Sequence, residues 1–394
     1  MATNEARPPG QAMTGRFPWR IRWSDLLGIV GLFAATRVLL VIVGMATWPH
    51  QTPRSAWRGV DRSGIRWALV PDAPLLDMWT RWDSWEYDEI ARTGYWYDFQ
   101  HKPRPYGTVA CFPGYPMAIR GVSLVLGGRS VLAGLAISNL AAVAGLVLLF
   151  QWATWWGDRR CGWVAVAAAC CSPAGLFWSA LYPQSLYFGL SVGALTLMLD
   201  GRTAPACLVA ALATATRLEG VALVPALLAI RVSRGRIGRD VLWLAVAPLG
   251  LVAYMAYLYQ GWGDPMLFLK VHSLFGRGLS NPLATLARPF QESGGLARDG
   301  VLMTYAVAAM LLLGSVARIK WPILLYGWLM FFIPLCTGVY ISIYRVHLVN
   351  APIYLALGLG LRGRWRVLAW GVVAASAVFE GVMMSGWVAG YFHP

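Results

Sequence analysis

Apolar residues fall along this chain in long blocks rather than in strict alternation, and polar residues collect between the blocks. A block of about twenty apolar residues can cross the ~30 Å hydrocarbon core of a bilayer as a helix. Glycine, arginine and proline breaks divide the chain into about eleven such candidates, with a range of ten to twelve. They lie at 25–46, 131–155, 162–181, 184–199, 204–217, 219–231, 240–259, 301–317, 321–340, 346–360 and 367–388. The pattern predicts an all-α polytopic membrane protein.

The short connections "WGDRRCG", "DGRTA", "RVSRGRIGRD", "ARIK" and "LRGRWRV" occupy alternate positions between the blocks. The positive-inside rule places all five in the cytoplasm, with the basic tail of residues 1–24. Residues 25–394 then make one transmembrane domain. Its two long extracytoplasmic segments are 47–130 and 260–300, and loops of that length usually carry function. The apolar stretch 111–128 would reverse every later loop if it crossed, so it is read as interfacial or re-entrant on the outer face.

Composition agrees. The chain is 58% hydrophobic and 13% charged, against about 25% charged in soluble domains. Its net charge of +15 is accounted for by topology-setting arginines, and no compact basic domain exists to bind nucleic acid. Six cysteines form no CxxC pair, and five lie in or beside apolar runs, so neither a disulfide framework nor a zinc site is legible. The first apolar run is too long for a signal peptide and lacks a small-residue cleavage site.

With sides assigned, the unusual polar residues converge on the outer face. "WTRWDSWEYDEIARTGYWYDF" sets Asp83, Glu86, Asp88, Glu89 and Asp98 among aromatics. Read as a helix, it carries Asp83, Glu86, Tyr87 and Ile90 on one face, an amphipathic segment suited to the membrane surface. The turn Tyr182–Ser185 lies on the same side, as do Arg217 and Glu219. So do Asp264, Lys270, His272 and Arg277 of the second loop, and Tyr340, Tyr344, Arg345 and His347. Ionisable groups near a membrane interior usually line a pathway or a site.

Each residue also has a plainer reading. Arg345 and Arg217 can snorkel to headgroups, the histidines can be ordinary hydrogen-bonded side chains, and Asp83 can be a helix N-cap. Arg37, inside the first block, would face the bundle or an anionic lipid group. Taken together, a carboxylate beside an amphiphilic pocket with arginines suits transfer from a lipid-linked phosphate. The acid would be general base for an acceptor hydroxyl, and the arginines would hold the leaving phosphate.

"RWDSWEYDEIARTGYW" followed by "CFPGYPMAIR" resembles the signature of the PIG-V-like mannosyltransferases, membrane enzymes of the GT-C fold class. Arg81, Trp82, Asp83, Ser84, Tyr87, Ile90, Ala91, Gly94 and Tyr95 match its first part, and Phe112, Pro113, Tyr115, Pro116 and Arg120 its second. "SPAGLFWSALYPQSLYFGL", "ATRLEGVAL", "WGDPMLFL" and "YRVHLVNAPIYLALG" continue the likeness in order, so it covers residues 81–357. Gln184 departs from it where the pattern usually has Glu, Glu86 stands where His, Trp or Gly is common, and Val346 replaces a usual Tyr.

The resemblance implies a metal-independent, inverting transfer of mannose from polyprenyl-phosphate-mannose to a glycan, lipid or protein acceptor outside the cytoplasm. It implies Asp83, with Glu86, as catalytic, and Arg345, Arg217, Arg277 and His272 as donor-phosphate contacts. Arg81, Trp82, Tyr87, Tyr95, Tyr115, Tyr182, Gln184, Glu219, Asp264 and Tyr344 become substrate contacts, and no cofactor or metal is expected. Two other readings are a lipid-linked-sugar flippase and an inactive scaffold of a glycan-assembly complex. A flippase would need polar residues running through the bilayer, and apart from Arg37 the blocks are nearly free of charge. Composition favours a bacterial plasma membrane with the site facing outward.

Overall fold

The structure is a computed structural model. It describes residues 17–51, 69–70, 72–98, 106–235, 238–274, 278–291, 296–316, 318–338, 343–360 and 365–390. Arg277 and Tyr340 lie outside the described residues.

The chain opens with α1 (Trp23–Thr47), followed by the short α2 (Pro74–Asp77) and α3 (Ser84–Thr93). A two-stranded antiparallel ribbon, β1 (Tyr97–Asp98) against β2 (Tyr106–Gly107), leads into α4 (Gly114–Val125). Next come α5 (Ser130–Trp156), α6 (Arg159–Cys170), α7 (Gln184–Leu199), α8 (Thr203–Thr216), α9 (Leu223–Ser233) and α10 (Leu249–Trp262). The second long loop holds α11 (Leu267–Leu274) and α12 (Pro282–Gln291). The chain ends with α13 (Leu296–Gly314), α14 (Trp321–Leu335), α15 (Ile343–Leu348), α16 (Ala351–Gly360) and α17 (Arg366–Ala389). Among the described residues four stretches are long and apolar enough to cross a membrane: Trp23–His50, Ser130–Trp156, Arg239–Trp262 and Arg366–Ala389. Shorter apolar helices, including α7, α8, α14 and α16, pack among them. The all-α polytopic architecture is therefore present.

Several expected spans are broken, each for a local reason. The block 162–181 is helical only to Cys170, then turns and continues as a single 3-10 turn, Gly175–Trp178. Pro173 lacks an N–H for the helix ladder. Gly175 lies so close to α17 that an added Cβ would sit 2.2 Å from Glu380 Oε1. The blocks 204–217 and 219–231 are α8 and α9, separated by extended backbone at Arg217 (φ −154°, ψ 148°) and a 3-10 turn, Leu218–Ala222. The block 346–360 is interrupted between α15 and α16 at Val349 and Asn350. The stretch 111–128 holds only the twelve residues of α4, about 18 Å of helix, too short to cross the hydrocarbon core. It packs on α3 and α5 instead.

Glycine brings the central pair together. On α5 a Cβ at Gly145 would meet the Phe188 ring at 2.4 Å, and on α7 one at Gly189 would meet the Ala141 carbonyl at 3.0 Å. Close backbone approach of this kind substitutes for the hydrophobic drive that lipid does not supply between helices.

The basic connections gather at one end of the bundle. Phe17 N–H and Trp19 Nε1 donate to Asp200 at 2.9 and 2.8 Å, and Gln151 reaches the Pro18 carbonyl. Arg159 pairs with Asp25, Arg366 with Asp158, and Lys320 lies over the Trp155 ring. Arg231 holds Asp240 at 2.7 Å. Thr203 also donates to Asp240, so the described parts of the short basic loops and the tail share one end of the bundle.

Between the ends, Arg37 turns into the bundle. It pairs with Glu380 at 3.0 Å and donates to the carbonyls of Cys170 and Gly175. Glu380 is a second charge inside a span that the hydropathy pattern passes over.

Candidate functional site

Asp83 ends a tightly held turn. Arg81, 2% exposed, donates to Asp77 at 3.0 Å, to the Val388 carbonyl at 2.7 Å and to Gln51 at 2.9 Å, while stacking on Trp48. The resemblance puts Arg81 among substrate contacts. Its guanidinium is instead enclosed as a clamp joining the segment before Asp83 to the end of α17. Trp82 follows at φ +57°, a region that costs a bulky residue about 1–2 kcal/mol. Its ring is buried, 6.5 Å from Trp387.

That left-handed residue introduces α3, and Asp83 makes no side-chain cap hydrogen bond to it. The N-cap alternative therefore does not describe this carboxylate. Asp83 Oδ2 instead meets Arg345 Nη1 of α15 at 3.1 Å, across 262 residues of chain. The Asp83 side chain is 44% exposed and that of Arg345 11%. An arginine this enclosed needs compensation, and receives it from the carboxylate and two rings. Its guanidinium carbon lies 5.6 Å from the Phe177 centroid and 5.5 Å from that of Tyr182. The break after α6 puts both rings there.

Aromatic packing fixes the floor. Tyr87, on α3, lies 5.8 Å from Tyr182 and 5.6 Å from Tyr115. Burial pushes the Tyr87 hydroxyl well above the usual phenol range; Cys111 and Asp83 add to this, while Arg217 and Arg345 oppose it. All four groups therefore lie within electrostatic reach of one ring. Tyr182 is buried, with its hydroxyl on the Arg81 carbonyl at 3.2 Å. Tyr115 is buried below, bonded to the Gly134 carbonyl and Ser138. Arg217 makes a two-point pair with Glu219 at 2.7 and 3.2 Å. Tyr344 adjoins Arg345 in α15.

Glu86 accepts from the Cys111 thiol at 2.8 Å. Burial, then the Glu86 charge, drives that thiol well above its usual range, so it stays protonated and can keep donating. The other acids of the stretch diverge. Asp88 is buried and held by Ser130 and Arg92; Glu89 bonds Thr93, and Asp98 is exposed in the ribbon. The apolar side of α3, with Trp85, Ile90 and Ala91, is buried against protein rather than laid on a membrane surface.

Three further expected contacts lie elsewhere. Tyr95 packs with Tyr254 and Tyr257 and bonds the Cys111 carbonyl at 2.8 Å, in a separate apolar cluster with α10 and α11. Asp264 caps Met266 N–H and pairs with exposed Lys270. His272 is part of α11. The structure therefore draws Asp83, Glu86, Tyr87, Tyr182, Arg217, Glu219, Tyr344 and Arg345 to one region, while Tyr95, Asp264 and His272 belong to the α10–α11 side. His347 faces Tyr305 and Phe331, with ring centroids 5.7 and 5.3 Å away. Sequence reasoning missed Phe177 and Cys111, both inside motifs it quoted. Among the described residues no three of His, Cys, Asp and Glu gather as a metal-ligand set.

A carboxylate open to solvent on one side and paired with a ring-stacked arginine on the other can accept a proton while the arginine holds an anion. A guanidinium has five N–H donors, so Arg345 can engage an oxyanion without releasing Asp83.

No protein-family profile matches the chain. A GPI alpha-1,6-mannosyltransferase 2 from Cricetulus griseus is 30% identical over 164 residues, which cover 39% of this chain and 32% of that protein. The match thus spans about a third of that relative's length. Among solved structures, ArnT from Cupriavidus metallidurans bound to undecaprenyl phosphate is similar at a TM-score of 0.49 and 13% identity, over 91% of this chain and 76% of that one. An Archaeoglobus fulgidus oligosaccharyltransferase in the apo form is similar at 0.47 and 14%, over 91% and 56%.

Proposed function

We propose that this protein is a GT-C-type membrane glycosyltransferase. It moves a hexose from a polyprenyl-phosphate carrier to an acceptor hydroxyl on the extracytoplasmic face, with Asp83 as general base. The observation that carries this reading is the Asp83–Arg345 pair, half open to solvent, with Arg217 nearby. Mannose as the sugar rests on the resemblance of the motifs and on the name of the partial relative.

In this mechanism the acceptor hydroxyl gives its proton to Asp83 as its oxygen attacks the anomeric carbon. The bond from that carbon to the phosphate oxygen breaks on the opposite face, the electron pair leaves with the phosphate, and the anomeric configuration inverts. Arg345 and Arg217 stabilise the developing phosphate charge. No metal is required, because a monophosphate leaving group can be matched by two guanidinium groups. The partly exposed Tyr87 ring, packed by Tyr182 and Tyr115, offers a face for the sugar. The acceptor is a glycan, a lipid or a protein.

The test uses purified protein in nanodiscs, radiolabelled polyprenyl-phosphate-mannose and membrane extract as the acceptor source. Loss of label from the lipid into an acceptor-bound product is the expected result. Binding without turnover would favour a carrier or scaffold, and absence of binding would remove the donor class.

A further inference from the structure

Gln184 opens α7 and is fully buried, and neither Oε1 nor Nε2 has a hydrogen-bond partner. A buried amide left unsatisfied on both sides is costly, and its placement limits what can satisfy it. Two residues earlier, the Tyr182 ring lies under Arg345. Three residues later, and so on the same side of the helix, the Tyr187 hydroxyl lies 3.2 Å from that of Tyr326, within reach of the Arg217 and Glu219 charges. The helix that carries Arg345 also packs against α7. The amide is thus carried on the end of α7 whose neighbouring side chains reach the Asp83–Arg345 pair at Tyr182 and the Arg217–Glu219 charges at Tyr187.

The geometry points to Gln184 as the residue that reads the hydroxyl pattern of the transferred sugar. This deepens the glycosyltransferase reading above and rests on it. Arg345 and Arg217 each already face one acid, so a neutral group on this end of α7 adds no charge to compete for the phosphate. An amide presents one acceptor and two donors, which suits a hydroxyl or a vicinal pair of hydroxyls. A site built to bond a hydroxyl rejects an analogue lacking it, because its own polar group is then left unpaired.

The experiment compares bare polyprenyl phosphate, polyprenyl-phosphate-mannose and single-deoxy versions of that donor, binding to full-length protein in nanodiscs. Wild type is expected to prefer the sugar-charged lipid over the bare one by about tenfold or more and to lose that preference when one particular hydroxyl is removed. Gln184→Met, of similar size and apolar, should bind bare lipid within about twofold of wild type and show neither the preference nor the sensitivity to that hydroxyl. If Gln184→Met fails to fold, Gln184→Glu replaces it. It keeps an acceptor and loses the amide donor, so its deoxy profile should shift. A variant that keeps the wild-type preference and profile overturns the assignment, and so does a wild type indifferent to every hydroxyl. Either result leaves the donor class intact. Failure of wild type to bind any of the lipids would instead overturn the proposed function.

Discussion

The two ends of this bundle use arginine differently. At the basic end, Arg202 and Arg159 pair with nearby acids and stay wet, their side chains 59% exposed beside Asp200 and 50% beside Asp25, while Arg231 beside Asp240 is drier at 14%. Such pairs contribute about 0–1 kcal/mol each. The positive-inside rule counts such arginines by number and not by geometry. At the opposite end, Arg345 and Arg217 are only 11% and 14% exposed, and Arg345 is stacked on two rings. A guanidinium removed from water is expensive to keep, so its position carries more information than its charge. Arg37, enclosed at mid-bundle with Glu380, is a third case in which the same chemistry ties helices.

Substitutions can break or sharpen this contrast. The largest effect is expected at Asp83. Asp83→Asn should lower transfer by about 10²–10⁴-fold and destabilise less than loss of the Glu380 carboxylate, because the amide oxygen can still accept from Arg345 and the Asp83 side chain is 44% exposed. Product formation and thermal unfolding are followed in parallel. A loss of folded protein instead would return Asp83 to a structural role. Next is Glu380→Ala, which leaves Arg37 charged and unpaired in the bundle. It should destabilise by about 3–5 kcal/mol, measurable as reduced thermal stability in detergent.

Arg345→Lys keeps the charge but loses the planar fork. Donor binding should weaken by about tenfold in equilibrium titration; an unchanged affinity would move the phosphate away from Arg345.

The smallest effect is expected at the basic end. Burial pushes the Asp200 carboxyl up, but the bonds from Trp19 and Phe17, with Arg202, outweigh it and hold it below the usual carboxylate range. Its contribution is therefore present above the unfolded value of about 4 and lost as pH falls through the folded one. Trp19 fluorescence should report the tail loosening only on strong acidification, and Asp200→Asn should remove that transition at a cost under about 1 kcal/mol.

The long elements were legible because α1, α5, α17 and the stretch Arg239–Trp262 that ends in α10 each carry enough apolar residues to dominate a window of about twenty. The same averaging hid the break at Pro173 and the close approach of Glu380, from α17, to Gly175 beside it. One glutamate in an apolar window changes its mean little, so the Arg37–Glu380 pair was invisible until both helices were placed. The grouping of Asp83, Arg217 and Arg345 at one end of the bundle was expected from the alternation of the basic loops. The Asp83–Arg345 pairing was not, because it spans 262 positions. Arg81 shows the opposite limit. Its place in a motif suggests contact with substrate; of the three acceptors around it only Asp77, four residues earlier, is at a local spacing, while Gln51 and Val388 lie 30 and 307 positions away.

The most direct test is to measure donor affinity and transfer rate on the same nanodisc preparation, wild type beside Asp83→Asn. The account predicts that the variant retains polyprenyl-phosphate-mannose binding and loses transfer. Transfer at the wild-type rate by Asp83→Asn would contradict it.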